Sequence, residues 1–559
     1  MTHFLAIARE DSVPMFKSLM ISFLLTHAAG FALLLTAPAH AASRPSEITI
    51  ALGERLFLET RFAEYFKSHS GGQINLPEGK YPSDPVLNRA PRGDGSWITG
   101  PTAGQTMSCA SCHLVDQADS IPGGGPRAYS DFAVRSPIPH REDGLTHTPR
   151  NSPALIDILV REDTEGRSLT HFDGEFGSIE ELVLGGFLGR NFGWLSSERG
   201  IALAHLARVI REDAGDPSHE DPLFQAPYSD LLGGRGAARD LPESLRLDPS
   251  VASDADIAHQ VARLVGDYLR SLHYARDDAG QHTGSPYDAF LAANALPRAP
   301  TANESDLDYA RRLRHAIEAL NAPIYINQDI TLAPRMKRHK QAFTFGPAEL
   351  QGMKVFFSEP GRLDARGRPA GGTGNCIACH APPHFSDFGF HAIGTSQFEY
   401  DHLHGHGAYR SLLESAPAWQ PSATPTADTP QAWDAGAWHT LARSPLPAST
   451  PLLEEKLCLQ LRKESGSPRL PCQSEQLRDA AFGRFKTPLL RNLGQSAPYF
   501  HSGTQPDLRN TVFHYMRASA WARARDLVNA PTAVADIRLR GPDVVPLVQF
   551  LEALNEDYE

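Results

Sequence analysis

The sequence predicts a mainly α-helical chain folded as two domains, and three observations carry that reading. Apolar residues recur at three-and-four spacing in several segments, convincing strand alternation is scarce, and one short motif, C-x-x-C-H, occurs once in each half of the chain. With 559 residues, 41% hydrophobic and 21% charged, the chain has length for two or three cores and too much apolar content for disorder. Glycine (45) and proline (44) exceed ordinary usage without a repeat, so long, loop-rich connections are expected. Lys+Arg 53 against Asp+Glu 65 leaves a net charge of -12, which argues against nucleic acid and acidic lipid as partners and is compatible with docking to a basic protein.

Taken in order, residues 1–41 read as a signal peptide outside the fold. The apolar stretch 21–35 follows Lys17 and ends in Ala39-His40-Ala41, the small-x-small pattern of a cleavage site. Glu10 and Asp11 are wrong for a basic leader, which makes Met15 a candidate start. No later run approaches the roughly 18 to 20 apolar residues that cross a bilayer, so an exported, periplasmic product without a membrane anchor is expected. An uncleaved anchor is the alternative.

Residues 53–62 read as a short amphipathic helix, and helical periodicity returns at 153–159, 179–188 and 200–210. Ile257, Val261, Leu264, Val265, Tyr268, Leu269 and Leu272 have the spacing of a core-facing helix that closes a first domain over 42–295. Residues 296–345, opening on two prolines, read as a linker or insertion. A second domain over 346–559 starts with a helix at 347–357 and ends with one at 544–554. Between them, 402–480 reads as an insertion, and its Pro/Ala/Ser/Thr-rich part, 415–450, as irregular surface.

Cys109-Ala-Ser-Cys112-His113 and Cys376-Ile-Ala-Cys379-His380 match the attachment site of c-type haem. The spacing has a chemical reason: two thiols add across the vinyl groups of one porphyrin, and the adjacent imidazole reaches the iron. Two chance matches are expected in about one such chain in 10⁵. Zinc is the rival, since C-x-x-C pairs also make zinc knuckles, but zinc does not require the following histidine. A thioredoxin-like pair is weaker, because neither motif follows a hydrophobic strand. Two c-type haems are therefore the expected cofactors. Cys458 and Cys472 remain, and a disulfide between them would close a loop of about 15 residues, worth about 3 kcal/mol in the chain-entropy model.

At these motifs the sequence resembles the bacterial di-haem cytochrome c peroxidases and their relative MauG. Arg150-Asn151-Ser152-Pro153 followed by Phe172-Asp173-Gly174 is similar to the family's RNSP and WDG elements. Phe485-Lys486-Thr487-Pro488, Leu490-Arg491-Asn492 and Ala497-Pro498-Tyr499-Phe500-His501-Ser502-Gly503 resemble its FKxPxLRN and PYFHDG signatures. The resemblance covers most of 50–290 and 345–555, and the segments 296–345 and 402–480 have no counterpart.

The resemblance implies two cytochrome-c-like domains with one calcium ion between them, held by the side chain of Asn151 and the carbonyls of Ser496 and Pro498; oxygen-only ligation suits a hard cation. Asn151 by itself also reads as a helix N-cap. In the family, peroxide reacts at the N-terminal haem, which makes His113 the proximal ligand. The places of the family's acid–base Gln and Glu are taken by Leu182 and Phe192, which transfer no proton, and of the adjacent Glu180 and Glu181 the candidate is Glu181. Phe172 stands where the family has a tryptophan between the haems, and it holds a hole less easily. His140 and His147 read as loop histidines rather than a reversible sixth ligand. His402, His404 and His406 read either as a metal cluster or as a turn on a haem edge. The sixth ligand of the C-terminal haem counts to Tyr515, as in MauG, with Met516 one residue beyond; about 100° of helix separates them, so only one faces the iron.

The expected protein is thus a periplasmic, peroxide-dependent di-haem oxidoreductase, closer to MauG than to a standard peroxidase. It would use hydrogen peroxide and oxidise a redox partner protein, a protein substrate or another donor through the C-terminal haem. The alternatives are a di-haem electron-transfer cytochrome without turnover, a standard cytochrome c peroxidase, and a haem oxygenase using dioxygen.

Overall fold

Helix Asp254–Ser271 is the centre of the first core. Ile257, Val261, Leu264 and Val265 are fully buried along it, and the Ser253 side chain caps it by accepting the Asp256 N–H. Helix Glu47–Phe57 crosses it so closely that a Cβ on Gly53 would stand 2.0 Å from the Leu264 carbonyl oxygen. Only glycine permits that approach. Helices Ile179–Phe187 and Arg199–Glu212 complete the core through Val183, Phe187, Leu206 and Ile210.

The second core uses the same device. Helix Pro347–Phe357 lies against helix Gly541–Glu552, and a Cβ on Gly352 would come within 1.8 Å of the Pro546 carbonyl oxygen. In both cores, a helix ahead of the C-x-x-C-H motif packs through a glycine onto the last helix of that core.

In this computed structural model residues 45–556 are described, apart from 78, 92–96, 101, 114–135, 330, 337–338, 340, 362–365, 367–370 and 416–431. The expected signal peptide at 1–41 lies outside the described residues. Helices dominate, and the strands among the described residues form two antiparallel ribbons, Arg89–Pro91 with Trp97–Thr99 and Phe390–His391 with Phe485–Lys486. Among the same residues, no helix is long and apolar enough to cross a membrane.

Two segments pack differently from their sequence reading. Helix Pro286–Ala293, expected at the end of the first domain, places Tyr287 and Phe290 in the second core, where Phe290 stacks on Phe345 with centroids 4.2 Å apart. The stretch read as a linker supplies helix Asp306–Glu318, whose Tyr309, Leu313 and Ile317 are buried in that same core. Periodicity shows that a helix face is buried without saying against which partner. The insertion shares a hydrophobic cluster with its surroundings: Trp433 and Trp438, from the stretch read as irregular surface, are buried there with Tyr409, Leu453 and Leu457 of the insertion and with Leu169, Phe390 and Phe482 outside it. The sulfurs of Cys458 and Cys472 are bonded across it, with Cα atoms 5.6 Å apart.

Candidate haem-attachment and redox site

Each C-x-x-C-H motif folds as one tight turn. Cys109–Ser111 and Cys376–Ala378 are short 3₁₀ segments, and the backbone N–H groups of His113 and His380 donate to the carbonyls of Cys109 (3.0 Å) and Cys376 (2.7 Å). The two turns belong to separate cores, Cys109 packing on the first and Cys376 on the second, so the two pairs do not share a single metal. All four motif cysteines are free. Burial pushes the thiols of Cys109 and Cys376 up to about 12 and that of Cys112 up to about 11.

His380 is buried, and its Nδ1 lies 2.9 Å from the Phe385 carbonyl. A carbonyl only accepts, so Nδ1 carries the proton and Nε2 keeps its lone pair for a metal. Burial lowers the affinity of this ring for a second proton. Burial, with His171 nearby, pushes His113 down to about 4 although the Pro153 carbonyl opposes the shift. His113 Nδ1 is buried without a well-formed hydrogen bond. A pair of free cysteines and a buried histidine within one turn fit covalently held haem at each motif.

Helix Leu508–Ala524 separates Tyr515 from Met516. Burial and the neighbouring sulfurs of Cys379 and Cys376 push the Tyr515 phenol well above its ordinary range, so its side chain stands beside the second motif. Met516 packs among the apolar residues of the second core.

Glu181 is the acid–base candidate of the sequence reading. It is exposed, and its carboxylate folds back 2.9 Å from the Gly177 N–H at the N-terminus of helix Ile179–Phe187. Neighbouring Glu180 pairs with Arg270 at 2.8 Å. A short acidic side chain in a first helical turn is drawn to the unpaired N–H groups there. Leu182 and Phe192 pack on the first core. His140 and His147 are exposed. His402, His404 and His406 are exposed too and diverge, His404 lying over Tyr400 (4.2 Å) and His406 over Trp521 (4.9 Å).

Between the cores, the Phe172 carbonyl accepts the Lys486 N–H at 2.7 Å, and the Phe172 ring lies 6.3 Å from His501, which stacks on Phe485 at 3.7 Å. Arg150 joins Asp173 (2.7 Å) to Asp434 (2.8 Å), a residue of the insertion. Although burial opposes it, Arg150 holds the Asp434 carboxyl far below the usual range. Asp434 was not singled out from sequence, since it lies in a compositionally biased stretch with no motif. His391 was also missed: it sits between Asp387 (2.9 Å) and Glu464 (3.6 Å), and with Cys379 these outweigh burial and raise its basicity. The Asn151 amide nitrogen donates to the carbonyls of Pro498 (2.7 Å) and Phe500 (3.1 Å), while Ser496 turns its hydroxyl to the Leu493 carbonyl (3.1 Å).

No protein-family profile matches the chain, and no curated relative does. Among solved structures, the chain is similar to a MauG-like protein associated with microbial copper homeostasis, at 16% identity and TM-score 0.41 over 95% of this chain and 96% of that one. It is also similar to the diheme peroxidase BthA from Burkholderia thailandensis, at 17% identity and TM-score 0.43 over 92% of this chain and 87% of that one. A variant of the latter matches at 18% identity with the same TM-score and coverage.

Proposed function

We propose that the chain is a periplasmic di-haem c oxidoreductase that reduces hydrogen peroxide and draws its electrons from a protein or other donor. The observation that carries this is the repeated motif turn, one per core, with Tyr515 beside the second. Two c-type haems bound there would supply the redox chemistry, peroxide reduction at the first and storage of oxidising equivalents at the second. Cys109, Cys112, Cys376 and Cys379 tether them, and His113 and His380 present imidazole nitrogens to the irons. Tyr515 offers a phenol oxygen, a harder donor than the thioether of Met516. Leu182 and Phe192, which belong to the first core, offer no proton-transferring group. Reduction of one peroxide to two waters takes two electrons from the donor and two protons. Asn151, Ser496 and Pro498 would supply a calcium ion with oxygens, provided the Asn151 carboxamide turns its oxygen to the ion.

The purified protein should give two covalent haems per chain by pyridine haemochrome after acid-acetone extraction, and should consume peroxide with an artificial electron donor. One haem or none refutes the reading. The exposed Glu181 and the apolar Leu182 and Phe192 favour a second reading, an electron-transfer cytochrome. Two haems with inertness to peroxide would establish that one instead.

A further inference from the structure

We propose that Asp157, His282 and His384 form a binding site for one divalent first-row metal ion of the imidazole-preferring kind, Cu²⁺ or Zn²⁺, bridging the two cores. One ligand atom from each of these residues lies within 4.8 Å of the others. Asp157 follows Ile156, whose side chain is in the first core, and His282 lies on the loop between helices Asp254–Ser271 and Pro286–Ala293. His384 comes four residues after His380, on the loop of the second motif.

Three features distinguish this group from an ordinary buried polar cluster. The Nδ1 atoms of His282 and His384 are both buried with no hydrogen-bond partner, and His282 is only 5% exposed. Native interiors rarely leave such atoms unpaired, least of all two of them side by side with ring centroids 5.7 Å apart. Burial, with Arg491 and Arg276 beside His282 and Arg161 beside His384, disfavours the charged form of both rings, and His384 is pushed down to about 3. Neutral imidazole is the form that binds a metal. The carboxylate is held in place from behind: His273 Nδ1 lies 2.8 Å from one Asp157 oxygen and Arg276 donates to the other at 2.7 Å, leaving a lone pair on each.

The charges facing the group select the kind of ion. Arg276 offsets Asp157, Arg491 is neutralised by Asp288 at 2.9 Å, Arg161 pairs with Asp306, and Glu556 nearby is pushed up to about 7 by burial. Ca²⁺ and Mg²⁺ need several anionic oxygens and find none in excess here. Two imidazoles and a carboxylate suit Cu²⁺ or Zn²⁺. Donors 2.0–2.1 Å from a tetrahedral ion stand about 3.4 Å apart, so a closure of no more than about 1.4 Å brings the side chains onto the ion.

The test uses the full-length protein after chelator treatment, titrated with Cu²⁺ and followed by EPR and by elemental analysis. One copper per chain is expected, with nitrogen hyperfine structure, and Cu²⁺ should displace Zn²⁺ bound beforehand. His282→Gln and Asp157→Asn should each weaken binding about 100-fold, and His273→Ala about 10-fold. These variants leave the second motif's own loop untouched, and an unchanged haem spectrum verifies folding. A protein in which His402, His404 and His406 are all replaced by Ala should bind as the wild type does. Absence of a stoichiometric site in the wild type, unweakened binding in His282→Gln, or loss of binding in the triple variant each overturns the proposal. Haem content is read separately, so failure here is distinguishable from failure of the proposed redox function.

Discussion

Gly352→Ala places a methyl group where the Pro546 carbonyl oxygen stands 1.8 Å away. Real contacts of this type do not fall below about 3 Å, so helices Pro347–Phe357 and Gly541–Glu552 must part by more than about 1 Å, breaking close packing along their whole seam. Overpacking costs about 1–3 kcal/mol, and because the obstacle is backbone rather than a side chain that swings aside, about 3 kcal/mol is expected. For a unit of roughly 200–250 residues that lowers its melting transition by about 6–12 °C. Gly53→Ala should do the same to the first core, where the Leu264 oxygen stands 2.0 Å from the added carbon. Gly186→Ala is the control: it lies within helix Ile179–Phe187 with nothing inside 4 Å, and should stabilise by about 0.5–1 kcal/mol. Far-UV circular dichroism and Soret absorbance, followed together, report each transition, since two cores need not melt as one. A Gly352→Ala protein melting within a degree of wild type would refute the close crossing, and so would a Gly186→Ala protein destabilised as much.

Tyr515→Phe should alter the spectrum of one haem while Met516→Leu leaves it intact; the weak far-red band of methionine ligation, abolished by Met516→Leu, would reverse that assignment. Glu556 is buried, with one oxygen 2.7 Å from the Ala275 N–H and the other unpartnered, and burial raises its carboxyl from 4.5 to about 7. The folded state therefore holds a proton that the unfolded state releases: the contribution is fully present below pH 4.5 and is lost as pH rises to about 7, up to about 3 kcal/mol in all. Glu556→Gln should match wild type at pH 4 and exceed its stability at pH 8, and denaturant titrations at both pH values decide the point. Arg150→Met leaves Asp173 and Asp434 buried without their cation and should cost about 3–5 kcal/mol at neutral pH, less at pH 4 where the carboxyls can protonate, as chemical unfolding would record.

Sequence alone was informative wherever the chemistry is local in the chain. The C-x-x-C-H spacing specifies two thiols and an imidazole within one turn, so Cys109 to His113 and Cys376 to His380 were legible without coordinates. Helix Asp254–Ser271 was equally plain, because its buried positions follow a fixed period, and Cys458 with Cys472 were the only cysteines outside the motifs. Glu181 shows where such reading stops: composition allows an acid–base role, but only the fold shows its carboxylate exposed and accepting the Gly177 N–H. Tertiary structure alone decided the partners of helices Pro286–Ala293 and Asp306–Glu318, the meeting of Arg150 with Asp434, and the gathering of Asp157, His282 and His384. These depend on contacts between residues far apart in the chain, and local spacing carries no record of which buried faces come to share one interior.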